Sequence, residues 1–108
     1  MYQRLQRKLQ KIMFSMDFFE YREDVLRVKG WIFSLEQKIE DVTIVLKSGG
    51  QSWDLLAGTE IERIDVLNHF KGNPYAKNSG FYTTALIKGI VNGIVWLEYR
   101  KKGKNYRL

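Results

Sequence analysis

The sequence predicts an all-β protein: an antiparallel two-layer β-sandwich of immunoglobulin-like type, with six to seven strands and an N-terminal amphipathic α-helix. Three observations carry that expectation. Short apolar runs alternate with polar residues at a period of two, turn-forming residues recur about every 8 to 12 positions, and a single helical turn interrupts them. A chain of 108 residues is one domain, and at this length folding buries roughly 65% of the extended surface. A core can therefore form without disulfide or metal. A five-stranded closed barrel is the alternative architecture.

The first element reads as a helix. Tyr2, Leu5, Leu9, Ile12 and Met16 fall at spacings of 3, 4, 3 and 4, one apolar stripe over residues 1–16 with no Gly or Pro to break it. From Asp17 the period changes to alternation, which divides the chain into a basic amphipathic helix (1–16) and a β-sandwich domain (17–108). Phe18 to Tyr21 reads as a short strand and Arg22-Glu23-Asp24 as the turn after it. Leu26 and Val28 share a face, and a bulge at Gly30 would shift the phase so that Trp31 and Phe33 join them.

Val42, Ile44 and Leu46 alternate in the next strand, which Ser48-Gly49-Gly50 turns back into residues 51–56. Residues 60–70 are less regular. Asp65 is placed to cap one helical turn that sets Val66 and Phe70 on a common face. After a loop at residues 71–74, Phe81, Thr83, Ala85 and Ile87 alternate in a strand introduced by Asn78-Ser79-Gly80. Asn92-Gly93 turns the chain into Val95, Leu97 and Tyr99, and a last strand follows the Lys101-Lys102-Gly103-Lys104 turn.

Charge and composition exclude several functions. With no Cys and only His69, thiol nucleophiles, Cys-zinc sites and two-His metal sites are impossible, so no metal or cofactor is expected. The net charge of +6 is segregated at the ends: residues 1–16 hold four basic side chains and no acid, residues 100–108 five and no acid. Nine of the 18 basic residues thus face all 12 acids across residues 17–99, a net charge of −3. A single-strand nucleic-acid binder of the barrel type would place Lys and Arg among its exposed aromatics, so nucleic acid is not an expected partner.

The N-terminal stripe leaves three readings open. Arg4, Leu5, Lys8, Leu9, Lys11 and Ile12 could lie on an anionic membrane, pack on a partner, or fold back on their own sheet. Trp53, Tyr75, Tyr82 and Trp96 fall outward or in loops and are candidate sugar contacts, since flat rings match the apolar faces of pyranoses; the other aromatics read as core. Glu60, Glu62, Asp65 and His69 form the densest polar cluster, but Arg63 among the acids points to ion pairing, and His69 reads as a surface residue. No Asp-x-Asp pair is present to hold a nucleotide-sugar's divalent ion, so no catalytic residue is expected and the chain alone is not an enzyme.

Four segments in order carry a family likeness: Leu26 to Phe33 with its Gly30-Trp31 pair, Ile39 to Leu46, Arg63-Ile64-Asp65-Val66 with Phe70, and Asn78-Ser79-Gly80-Phe81. Together they resemble the β-sandwich accessory domain, N-terminal in its parent chains, of bacterial cell-surface polysaccharide glycosyltransferases of the rhamnan, O-antigen and capsule type. The likeness covers about residues 18–100. It implies a non-catalytic accessory or targeting module whose partner is the catalytic transferase domain of the same parent chain. It places Gly30 and Trp31 in a core strand, Arg63 and Asp65 in an ordered crossover, and Gly80 and Phe81 at the start of another core strand. The implied location is the cytoplasm, peripheral on the inner membrane face, positioned at the membrane or on the glycan. A free carbohydrate-binding module, or the N-terminal domain of a teichoic-acid polymerase, is the alternative.

Overall fold

The computed structural model describes residues 11–108. Among them, eight strands form two antiparallel sheets of four. In chain order these are β1 (Ile12–Arg22), β2 (Val25–Ser34), β3 (Asp41–Ser48), β4 (Gln51–Leu56), β5 (Gly58–Ile61), β6 (Gly80–Leu86), β7 (Ile94–Lys101) and β8 (Lys104–Arg107). Helix α1 (Ile64–His69) and a 3-10 turn (Pro74–Ala76) lie between β5 and β6. The first sheet has the order β1-β2-β6-β5 and the second β4-β3-β7-β8, so the architecture is a sandwich and not a closed barrel.

Alternation builds the core between the sheets. Leu26, Val28, Ile32 and Phe81 project from the first sheet onto Val42, Ile44, Leu46, Leu97 and Tyr99 of the second, all nearly or fully buried. Each large apolar side chain so buried contributes about 1.5–3 kcal/mol. Three hairpins close with two-residue turns, Glu23-Asp24, Gly49-Gly50 and Lys102-Gly103, in which both residues have positive φ. That is the turn type whose twist matches paired strands, and the glycines carry it without a Cβ clash.

Several expectations are corrected. Ile12 to Met16 are strand, not the end of a helix, and β1 runs unbroken through the boundary expected at residue 17. Lys11 turns the chain into β1 with φ 53°. The rest of the expected helix, residues 1–10, lies outside the described residues. The bulge belongs to β1, between Met16 and Phe18, and not to Gly30 opposite it. Alternation on β2 therefore continues through Gly30, which faces the core, and Trp31 and Phe33 point to the outer side of the sheet. A side chain at Gly30 would collide with the Ser15 carbonyl oxygen and lie 2.9 Å from Cζ of Phe81. Gly30 is a seat for the Phe81 ring.

Trp31 and Phe33 are covered all the same. The segment between β5 and β6 crosses the outer face of the first sheet, and its Val66, Phe70 and Ala76 pack with them into a second small core. Phe33 and Phe70 meet edge-on with ring centroids 4.9 Å apart, Trp31 and Phe70 at 5.7 Å. Val66 and Phe70 thus share a face as the sequence suggests. Asp65, however, is not the cap: Arg63 holds that position, with no side-chain capping hydrogen bond.

Candidate functional site

The register sets the strand ends that matter. Ile12 pairs with Ser34, Trp31 with Gly80, Asp41 with Arg100 and Lys101 with Lys104, so the 35–40 loop, the β5–β6 crossover and the β7–β8 turn gather at one end of the sandwich. A cleft of about 260 Å³ opens there. Its floor is Ile32, Phe33, Ile39 and Val42, and its walls are Lys38, Thr59, Glu60, Tyr75, Asn78 and Ser79. Lys38 and Glu60 are ion-paired across it.

The wall carrying Tyr75 is pinned from both sides. Asn73 accepts a hydrogen bond from the Tyr75 amide at 3.0 Å through its side-chain oxygen and donates one from Nδ2 to the Leu35 carbonyl at 3.2 Å. Ser79 Oγ donates to the Ala76 carbonyl at 2.7 Å, while the Ser79 carbonyl accepts from the Ile32 amide at 3.0 Å. Gly80 completes the fit: a Cβ there would stand 2.8 Å from the Ile61 carbonyl oxygen and 3.1 Å from Arg63 Cγ. No larger residue leaves room for β5 beside it.

Arg63 locks the crossover to the first sheet. Its guanidinium donates to both Asp65 oxygens at 3.0 and 2.8 Å and to Asp17 at 2.9 Å, so α1 is tied to the bulge of β1. Its amide also donates to the Lys77 carbonyl at 2.7 Å. The Arg63 hydrogen bonds hold the Asp65 carboxyl down at about 2 and raise the arginine's own pKa. Bidentate geometry of this kind fixes direction as well as charge.

The four candidate sugar contacts do not meet. Tyr75 lines the cleft, partly exposed. Trp53 pairs with Leu46 and faces inward, packed against the main core, contrary to its expected outward position. Tyr82 lies on the outer side of the first sheet beside Lys29. Trp96 lies on the outer side of the second, where its Nε1 donates to Glu98 at 2.8 Å and its ring is flanked by Lys47 and Arg107 at 5.2 and 4.1 Å from the centroid.

The other expected site residues also separate. Ile12 is buried in the main core and is withdrawn as a membrane contact, and Lys11 Nζ donates to Glu36 at 2.6 Å. Arg4, Leu5, Lys8 and Leu9 lie outside the described residues. His69 is exposed at the end of α1, as expected of a surface residue, with its ring 4.9 Å from that of Phe70. Sequence reasoning gave Asn78, Thr59 and Lys38 no part in a cleft and did not pair Lys38 with Glu60; the four residues come from three separate segments, and Lys38 and Thr59 carry no local signature. Among the described residues, no three His, Cys, Asp or Glu side chains converge to hold a metal ion, and no helix is long and apolar enough to cross a membrane.

No family model matches this chain, and no curated protein matches it.

Proposed function

We propose that the chain is a non-catalytic accessory module of a larger glycosyltransferase that assembles bacterial cell-surface polysaccharide, and that it holds the glycan at the cleft beside Tyr75. Its fold is immunoglobulin-like in this reading: β1-β2-β6-β5 and β4-β3-β7-β8 follow the ABED and C′CFG strand orders of that family of sandwiches. The observation that carries the reading is where the four resemblance segments lie. Gly30 seats the Phe81 ring, Gly80 packs on Arg63, Trp31 packs on Phe70, and Ile39 with Asn78 and Gly80 lines the cleft. Residues distant in sequence thus build one end of one sandwich.

The cleft suits a sugar chemically. It combines one partly exposed aromatic face with a carboxylate, an ammonium, an amide and a hydroxyl, the groups that stack on a pyranose and bond its hydroxyls. Its volume admits a single sugar unit, so a polymer would enter by its end or by a branch. The alternative, a free carbohydrate-binding module, needs the same cleft and no attached enzyme. The catalytic domain, the cytoplasmic location and the membrane contact of residues 1–11 belong to the accessory reading.

The test is a titration of the 15N-labelled protein with rhamnose, N-acetylglucosamine and a rhamnan oligosaccharide. Amide shifts should concentrate at Thr59, Tyr75 and Asn78, and Tyr75→Ala should weaken binding about tenfold, while Trp96→Ala leaves it unchanged. Shifts confined to the Trp96 face, or turnover of a nucleotide sugar by the purified chain, would overturn the reading.

A further inference from the structure

Lys11, the described member of the N-terminal basic residues, and the basic β7–β8 turn arrive at the same end of the fold. Lys11 enters β1 beside Glu36, and the β7–β8 turn brings Lys101, Lys102 and Lys104 to the same 35–40 loop. There the Gly103 amide donates to Glu40 at 3.0 Å, and Arg100 pairs with Glu40 at 3.5 Å. Lys11, Lys101 and Lys102 all hold the Glu36 carboxyl below its ordinary range, which marks their shared field. The carboxylates of the loop are already matched by Lys11 and Arg100. Among the described residues, the three lysines of the turn have no ion-pair partner.

We propose that this cationic end, led by Lys101, Lys102 and Lys104, docks the protein on an anionic phospholipid bilayer. The proposal rests on the reading of the chain as a module that serves an enzyme at the membrane. Charge complementarity gives the sign, and shape chooses the bilayer over a soluble polyanion. A nucleic-acid strand would have to run along a face of the sandwich, and on the outer side of the second sheet Lys47, Arg100 and Arg107 are offset by Asp41, Asp54 and Glu98, so no continuous basic track leads away from the tip. A bilayer is flat and meets only the tip. The ring of the same hairpin, Tyr106, is already taken up by Tyr99, stacked at 5.2 Å, and by Lys101, 5.8 Å from its centroid.

Docking at this end also sets the cleft beside the bilayer, since Lys38 and Ile39 of the same loop line it. A glycan growing on a lipid carrier would be presented where Tyr75 stands. Each lysine near an anionic surface adds to binding additively, so removing three should cost about a hundredfold in vesicle partitioning.

The experiment is co-sedimentation of the full chain with vesicles of phosphatidylcholine containing one-third phosphatidylglycerol, against vesicles of phosphatidylcholine alone. The wild type should bind only the anionic vesicles and release as salt shortens the screening length from about 10 Å at 0.1 M towards 3 Å at 1 M. The triple variant Lys101→Gln, Lys102→Gln, Lys104→Gln should lose about a hundredfold, with an unchanged melting temperature to show that it folds. Lys29→Gln with Lys88→Gln, away from the tip, should bind as wild type. A triple variant that still binds, or a wild type that prefers a single-stranded oligonucleotide to the vesicles, overturns the proposal. Loss of vesicle binding alongside intact sugar shifts at Tyr75 in the triple variant supports it and leaves the glycan reading standing. A wild type that binds no vesicle at low salt but still binds sugar overturns docking alone.

Discussion

The two sheets treat their outer faces differently. On the first, the crossover between β5 and β6 lies over Trp31 and Phe33, and the end of β2 beneath it is covered on both sides while Lys29 earlier in the strand stays exposed. On the second, Trp96 is aromatic too, but its cover is two cations and a carboxylate from its own sheet. An apolar outer face thus becomes a core only where a connection is long enough to cross it. Elsewhere the ring is accommodated by charged neighbours whose stems are apolar and whose heads stay in water.

If the covered face is a true core, Phe33→Ala should be the most damaging of the changes that compare the two. Phe33 is 2% exposed and packs on Trp31, Phe70, Val66 and Ala76. Its loss should cost about 3–5 kcal/mol by leaving a cavity between sheet and crossover. Urea melts measure it. A loss below about 1 kcal/mol would mean that the crossover rests on the sheet without being part of its stability.

Trp96→Ala should cost less. Two cation–π contacts and one hydrogen bond, all partly exposed, are lost, worth about 2 kcal/mol together. The same urea melts decide it. A cost approaching that of Phe33→Ala would erase the distinction between the two faces.

The same contrast explains which parts of the fold were legible. Turn chemistry was: Ser48-Gly49-Gly50 and Lys101 to Lys104 close hairpins where the sequence places them. The phase of β2 was not, because its end from Trp31 to Phe33 is covered on both faces and is apolar in both phases, and Gly30 then looks like a bulge. The start of β1 was hidden for a related reason. Phe14, Met16, Phe18 and Phe19 on this edge strand are all 38–48% exposed, so no polar alternation marks it, and Ile12 with Met16 fits a helical period equally well. Of the cleft, only Tyr75 was expected to touch a ligand, as an aromatic in a loop; Glu60 was read as part of an ion-paired cluster, and Ile39 and Asn78 to Gly80 as structural segments. Its other walls are brought together by the crossover, which β5, never apparent as a strand, anchors to β6.

The smallest effect concerns how the crossover is held, and it depends on pH. Asp65 has an ordinary carboxyl value near 3.8 and is held at about 2, chiefly by its hydrogen bond from Arg63. A group whose pKa is depressed by folding adds stability above its unfolded value and loses it as pH falls through its folded value. The Arg63 anchor of the crossover should therefore be intact above about pH 4 and fade between pH 4 and 2, while Trp96 and its cations have no share in that window. Asp65→Asn removes the titrating group, so its stability should fall less steeply than wild type across that interval, and Trp96→Ala should keep the wild-type slope. Denaturant midpoints at half-unit steps of pH read this directly. Parallel curves for Asp65→Asn and wild type would show that Arg63 is held by Asp17 alone and that the crossover owes its position to Phe33 and Phe70.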